Sequence, residues 1–120
     1  MDFARRGKIV WTTLGPRGNY KKRPAVIVSD VSRPPPGTKI HIVAGTTKFD
    51  EPLSPLEVKL PSEDRQGGHH STRLRSPTVI VCDWTEVIDV ADIEGYAGVV
   101  PASILAEILR KIPKAPEDSR

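Results

Sequence analysis

The sequence predicts a mainly β fold, a small barrel of short, largely antiparallel strands with one α-helix at the C-terminal end. Two observations carry this. Several short runs rich in β-branched residues follow one another at close spacing, and a single helical apolar stripe comes after them. Length agrees, since 120 residues fill one core but not two. One domain is expected over residues 1–112, with residues 113–120 a loose tail.

The first run, Lys8-Ile9-Val10-Trp11-Thr12-Thr13-Leu14, is short and β-branched and reads as a strand. Gly15 to Lys22 is a turn-rich basic loop. Arg23-Pro24 then opens Ala25-Val26-Ile27-Val28-Ser29, a continuous apolar run suited to a strand buried on both faces. Pro24 has no N–H, so it fits only at that strand's first residue or at an edge. Arg33 to Gly37, with three consecutive prolines, is a loop.

Lys39 to Thr46 is the next strand, and Leu56 to Leu60 a shorter, half-exposed one. Pro61 to Pro77 is polar, contains Gly67-Gly68 and lacks an apolar period, which predicts a long mobile loop. Thr78 to Trp84 is the strongest core strand of the chain. Val87 to Ile93 alternates briefly, and Gly95 to Val100 supplies a last short strand. In the helix, Pro101 suits the first turn, and Ile104, Leu105, Ile108, Leu109 and Ile112 form one apolar stripe. Arg110 and Lys111 complement the negative end of its dipole, and Pro113 stops it.

Composition excludes several classes. No stretch reaches the roughly 18 apolar residues of a membrane span, so no membrane partner is expected. The N-terminal residues lack the apolar segment of a secretory signal. Cys82 is the single cysteine, which rules out an intrachain disulfide and suits a reducing cytoplasm. It also excludes a thiolate zinc site. The net charge of +3 is modest, but its placement is uneven. Arg5, Arg6, Lys8, Arg17, Lys21, Lys22 and Arg23 face only Asp2 in the first 23 residues, whereas acids prevail after Cys82. A basic end of this kind points to an anionic partner, nucleic acid above all, although exposed cations also serve solubility.

In this order and spacing the segments resemble a known family. Arg6-Gly7-Lys8-Ile9-Val10-Trp11, Leu14-Gly15-Pro16 and Arg23-Pro24-Ala25-Val26-Ile27-Val28-Ser29 are similar to the opening of the MazF/PemK ribonuclease toxins. Val43-Ala44-Gly45-Thr46-Thr47 resembles that family's third-strand motif. Val79-Ile80-Val81-Cys82-Asp83 with Val87-Ile88-Asp89 resembles its central strand and following turn, and Gly98-Val99-Val100-Pro101 its C-terminal end. The likeness runs from about Arg6 to Ile112.

The resemblance implies an SH3-like barrel, a symmetric homodimer and a cognate antitoxin protein that inhibits it. It implies sequence-selective endoribonuclease cleavage of single-stranded RNA without a metal or other cofactor. By matching position it makes Arg23 and Thr46 the catalytic pair, with Asp83 near the scissile phosphate. The chemistry suits them. Attack by the 2′-OH builds negative charge on the phosphate, and a guanidinium meets that charge with a planar fork. A threonine hydroxyl donates to the same group.

Each residue also has an ordinary reading: Arg23 as a surface arginine capping a loop, Thr46 as a β-former on a strand edge. Asp83 can orient Arg23, accept a proton or pair with a lysine. The basic loop residues Arg17, Lys21 and Lys22, with Thr47 and Arg73, are candidates for gripping RNA, and Tyr20 and Trp84 for stacking on an unpaired base. Trp11 reads as a core or dimer-interface aromatic. His69 and His70, flanked by Arg65, Arg73 and Arg75, titrate near neutrality and suit acid–base work or plain solvation. A metal site is not expected there, because adjacent residues rarely point at one ion. Two departures from the family pattern, a loop Gly18 to Lys22 without glutamate and Val81 and Glu86 at arginine positions, favour a rival reading. This is a non-catalytic RNA-binding module or a CcdB-like protein inhibitor on the same fold.

Overall fold

The computed structural model describes residues 5–29 and 37–113, and the described residues form six strands and one α-helix. They are β1 (Lys8–Leu14), β2 (Lys21–Ile27), β3 (Lys39–Thr46), β4 (Glu57–Leu60), β5 (Thr78–Asp89), β6 (Gly95–Val99) and α1 (Ala102–Lys111). They build a single sheet in the order β4-β5-β3-β2-β1-β6, and the pairs are antiparallel. The mainly β expectation with a C-terminal helix is met. The Pro34 to Pro36 loop and the tail from Lys114 lie outside the described residues.

Both faces of this sheet are covered, which explains the unbroken apolar run in β2. Ala25 and Ile27 join Val10, Leu14, Ile42, Ala44, Trp84 and Ile88 in one buried cluster. Val26 joins Ile9, Val43, Val58, Ile80, Cys82 and Ile108 in the other. Helix α1 closes the second face by packing on β4 and β5. Ile108 is fully buried there, while Leu109, at the margin of the predicted stripe, stays 37% exposed. Pro101 sits at the N-cap, one residue before the helix.

Three boundaries differ from the sequence reading. β2 begins at Lys21, so Lys21 and Lys22 are strand residues paired with Leu14 and Thr13, not loop. Pro24 therefore sits inside a central strand. The Trp11 carbonyl accepts from Glu94 N–H on the far side of β1, so the Trp11–Pro24 pair makes no ladder bond and the proline nitrogen faces β3. The β2–β3 ladder starts one residue later, at Ala25 opposite Ala44. The missing N–H falls where no partner strand asks for it.

The second difference is β5, which continues through 12 residues to Asp89. A register shift against β3 between Val43 and Gly45 lets the strand bend without ending. The turn comes afterwards, as a 3₁₀ turn at Val90–Asp92 capped by the Asp89 carboxylate.

The third is the segment from Pro61 to Pro77, which is tightly bonded rather than mobile. Glu63 N–H and His69 N–H both donate to the Leu74 carbonyl, and Gly98 and Val99 N–H donate to the Thr72 and Ser71 carbonyls at 2.8 and 2.9 Å. The loop thus pairs with the free edge of β6. It reaches from β4, one edge of the sheet, to β6, the other, and closes the curl that the strand ladder leaves open. Gly98 makes this possible, since a Cβ there would lie 1.8 Å from the Ser71 carbonyl oxygen.

Candidate nucleic-acid interface at a strand fork

β2 and β3 part company just beyond Ala25 and Ala44. Carried two residues further, the same register sets Arg23 opposite Thr46. Side chains alternate along strands, so both project on the face of Ala25 and Ala44. Each is partly exposed. Neither side chain is sealed in the core.

Arg23 is anchored by its Nε, which donates to the Gly18 carbonyl at 3.0 Å. The Thr46 hydroxyl accepts from Lys48 N–H at 3.0 Å and donates to the Lys48 carbonyl at 3.1 Å. It organises the turn leaving β3.

The β1–β2 loop connects Arg23 to a second group. Arg17 Nη2 lies 3.3 Å from Asp83 Oδ1, and its Nη1 donates to the Asp83 carbonyl at 3.4 Å. The same guanidinium sits 5.3 Å from the centre of the Trp84 ring. Trp84 Nε1 donates to Glu86 Oε2 at 3.0 Å. The structure thus links Arg23, Arg17, Asp83 and Trp84 through one loop. It adds Glu86, whose role no local motif signals because it depends on where β5 bends.

Trp84 is corrected here. Only 7% of it is exposed, its indole packs with Val10, Leu14 and Ile42, and Arg17 lies over the ring. A base needs an open face to stack on, and this ring does not offer one. Tyr20, by contrast, is 72% exposed. It and Asn19 hold left-handed backbone conformations, with φ of 55° and 57°. Non-glycine residues adopt these rarely and mostly where surrounding structure imposes them. Lys21 and Lys22 are exposed beside it, so the loop carries a basic, aromatic rim.

His69 and His70 are not gathered with Arg23. Their rings lie 4.3 Å apart, and with Glu63 they place one ligand-type atom each within 4.8 Å of one another. The sequence did not foresee that grouping, but two of its three members are engaged elsewhere. Glu63 Oε2 pairs with Arg65 Nε at 2.9 Å. His69 Nδ1 accepts from the N–H groups of Ser71 and Thr72 at 3.1 and 3.2 Å, which assigns the ring proton to Nε2. That ring offers a metal no spare lone pair, and His69 serves the loop's architecture. Arg73 and Thr47 instead line a cleft with Trp11 on the other face of the sheet.

Cys82 is fully buried, and burial pushes its thiol up to about 11, only partly offset by Lys111. A neutral, enclosed thiol is no nucleophile.

Fold and site together define a small antiparallel sheet, curled over two apolar layers and capped by a terminal helix, with a basic fork at one end. Residues 5–115 match the PemK-like, MazF-like toxins of type II toxin–antitoxin systems, and the chain belongs to that family. Among solved structures it is similar to an endoribonuclease in complex with its cognate antitoxin from a mycobacterial species. That match has a TM-score of 0.66 and 21% identity over 90% of this chain and 89% of the other. It is similar to the Mycobacterium tuberculosis toxin MazF-mt6, with a TM-score of 0.64 and 24% identity over 88% and 91% of the two chains. It is also similar to MazF from Deinococcus radiodurans, with a TM-score of 0.65 and 22% identity over 90% and 91%. A comparison with curated protein sequences gives no match. Among the described residues no helix is long and apolar enough to cross a membrane.

Proposed function

We propose that this toxin is a metal-independent, sequence-selective endoribonuclease that cuts single-stranded RNA at the fork between β2 and β3. The observation that supports the reading is that the β2–β3 ladder ends at Ala25 and Ala44, two residues short of a partly exposed Arg23 and a partly exposed Thr46. In this mechanism the ribose 2′-oxygen attacks the adjacent phosphorus as its proton passes to solvent water, the bond from phosphorus to the 5′-oxygen breaks, and the leaving 5′-oxygen takes up a proton from water. The products are a 2′,3′-cyclic phosphate and a 5′-hydroxyl.

Charge on the non-bridging oxygens peaks in the transition state, so a fixed cation acts there most strongly. Arg23 supplies it, its orientation set by the Nε bond to Gly18. Thr46 donates its hydroxyl proton to the same phosphate by exchanging the Lys48 carbonyl for a phosphate oxygen. Asp83 is a positioning residue that holds Arg17, and through it the loop, in place. Lys21, Lys22 and Arg17 draw the RNA backbone in, and Tyr20 stacks on an unpaired base. Two fold-level readings extend this proposal: a homodimer in the cytoplasm, and inhibition by a cognate antitoxin covering the same groove.

Incubation with a long RNA in EDTA tests the proposal. Discrete fragments ending in cyclic phosphates are expected. RNA left intact at high protein concentration contradicts it and favours a binding module.

A further inference from the structure

A cleft of about 240 Å³ lies on the face of the sheet opposite Arg23, lined by Trp11, Thr47, Arg73, Arg75, Ser76 and Thr78. It is smaller than the roughly 300–1,000 Å³ of ordinary small-molecule sites, and its size suits one nucleobase. We infer that this cleft is a flanking nucleotide subsite, in which a base stacks on Trp11 while Arg73 and Arg75 hold the adjoining phosphates. The inference rests on the RNA-cleaving reading above and adds a second contact region to it.

Position supports the assignment. Trp11 pairs with Pro24, the neighbour of Arg23, and Thr47 follows Thr46. The cleft is therefore lined by the residue paired with Arg23's neighbour and by the residue that follows Thr46.

Construction supports it too. Arg73 and Arg75 are exposed on either side of Leu74, which is only 3% exposed, so the backbone that carries both arginines is held by a peg in the core. Arg73 has φ of 61°, a conformation that L-residues avoid unless their surroundings impose it. Here they do. Arg73 N–H donates to the His69 carbonyl, and Leu74 N–H donates to the Thr72 hydroxyl, which itself donates to the Pro61 carbonyl. His69 Nδ1 fixes Ser71 and Thr72, and Gly68 gives the backbone room where a Cβ would lie 2.7 Å from the Arg73 carbonyl carbon. An indole, two guanidinium groups and hydroxyl donors on a rigid frame match a nucleotide's base, phosphate and ribose.

Binding of a labelled single-stranded 2′-fluoro RNA, which lacks the attacking hydroxyl, tests the subsite by fluorescence anisotropy at several salt concentrations. Trp11→Ala is expected to weaken binding about tenfold, and Trp11→Phe to recover most of the loss by restoring an aromatic face. Arg73→Gly suits the positive φ, so the variant folds, and it is expected to lower the slope of affinity against salt by about one. Arg75→Ala is expected to do the same. Wild-type binding with all four variants unchanged overturns the subsite and leaves the fork chemistry standing. Failure of the wild type to bind RNA overturns both. An acidic aromatic peptide that binds the wild type and not Trp11→Ala, with RNA affinity unchanged, assigns the cleft to a protein partner and overturns the nucleotide reading.

Discussion

Arg23 donates from Nε to the carbonyl oxygen of Gly18 at 3.0 Å, so a strand-borne cation and the loop that precedes it move as one unit. Gly18 lies next to Arg17, which is held by Asp83. Rigid strands thus fix the loop at two points, one on β2 and one on β5. A cation held in this way pays little reorganisation when charge develops beside it.

The Arg17–Asp83 pair separates positioning from proton transfer. Its side chains are 52% and 41% exposed, and exposed ion pairs of this kind contribute less than about 1 kcal/mol. Asp83→Asn is therefore expected to unfold within that margin of the wild type in urea. RNA cleavage is expected to slow by no more than about tenfold with an unchanged pH profile, because a group acting as base contributes about 10²–10⁴-fold. Loss of a limb of the pH profile would show that Asp83 transfers the proton itself.

Closure of the barrel by the Pro61 to Pro77 loop is testable at Gly98. A Cβ there meets the Ser71 carbonyl oxygen at 1.8 Å, so the loop must detach from β6 or the strand must shift. Gly98→Ala is expected to cost about 2 kcal/mol or more in chemical unfolding. Amide exchange should quicken at Gly98 and Val99, whose N–H groups bond the loop. Unchanged protection of those two amides would mean that the loop does not close the sheet there.

Glu94 gives a pH dependence of known sign. Its carboxylate accepts from the Thr13 hydroxyl and from Thr13 N–H at 2.7 Å. The hydroxyl bond holds it below the usual carboxylate range against opposing desolvation, with the Thr13 N–H and Lys22 adding to the effect. A depressed carboxylate in the fold means that the unfolded chain takes up a proton first, so this contribution is present above the unfolded value and lost as pH falls through the folded one. The stability gap between wild type and Glu94→Gln is expected to be widest at neutral pH and to close in the acid range. Urea unfolding at a series of pH values reads it directly, and a gap that persists in acid would place the effect outside the charge.

Much of the fold was legible from pattern alone. α1 shows its period plainly because one stripe faces a single apolar layer, and β1, β3 and Ala25 to Ile27 show themselves as β-branched or unbroken apolar runs because they send side chains into both layers. Pro24 was harder to place. Its tolerance in a central strand depends on which neighbour its nitrogen faces, a matter of register that no local window contains. The same holds for the polar loop from Pro61, whose order comes from β6, more than 20 residues away, and not from its own composition. Among site residues, Arg23 and Thr46 were marked by family likeness and their chemistry. Trp84 misled because its neighbours Asp83 and Thr85 are polar, and only the bend in β5 turns the indole inward.

The central claim is that the guanidinium at the fork stabilises the transition state of RNA cleavage. Single-turnover cleavage of a long RNA in EDTA by wild type, Arg23→Lys and Arg23→Ala measures it most directly, with melting curves alongside. Removing one such donor is expected to slow the step by about 10²–10³-fold in Arg23→Ala, with Arg23→Lys intermediate and all three proteins folded. Cleavage by folded Arg23→Ala at a rate within a few-fold of the wild type would contradict the account.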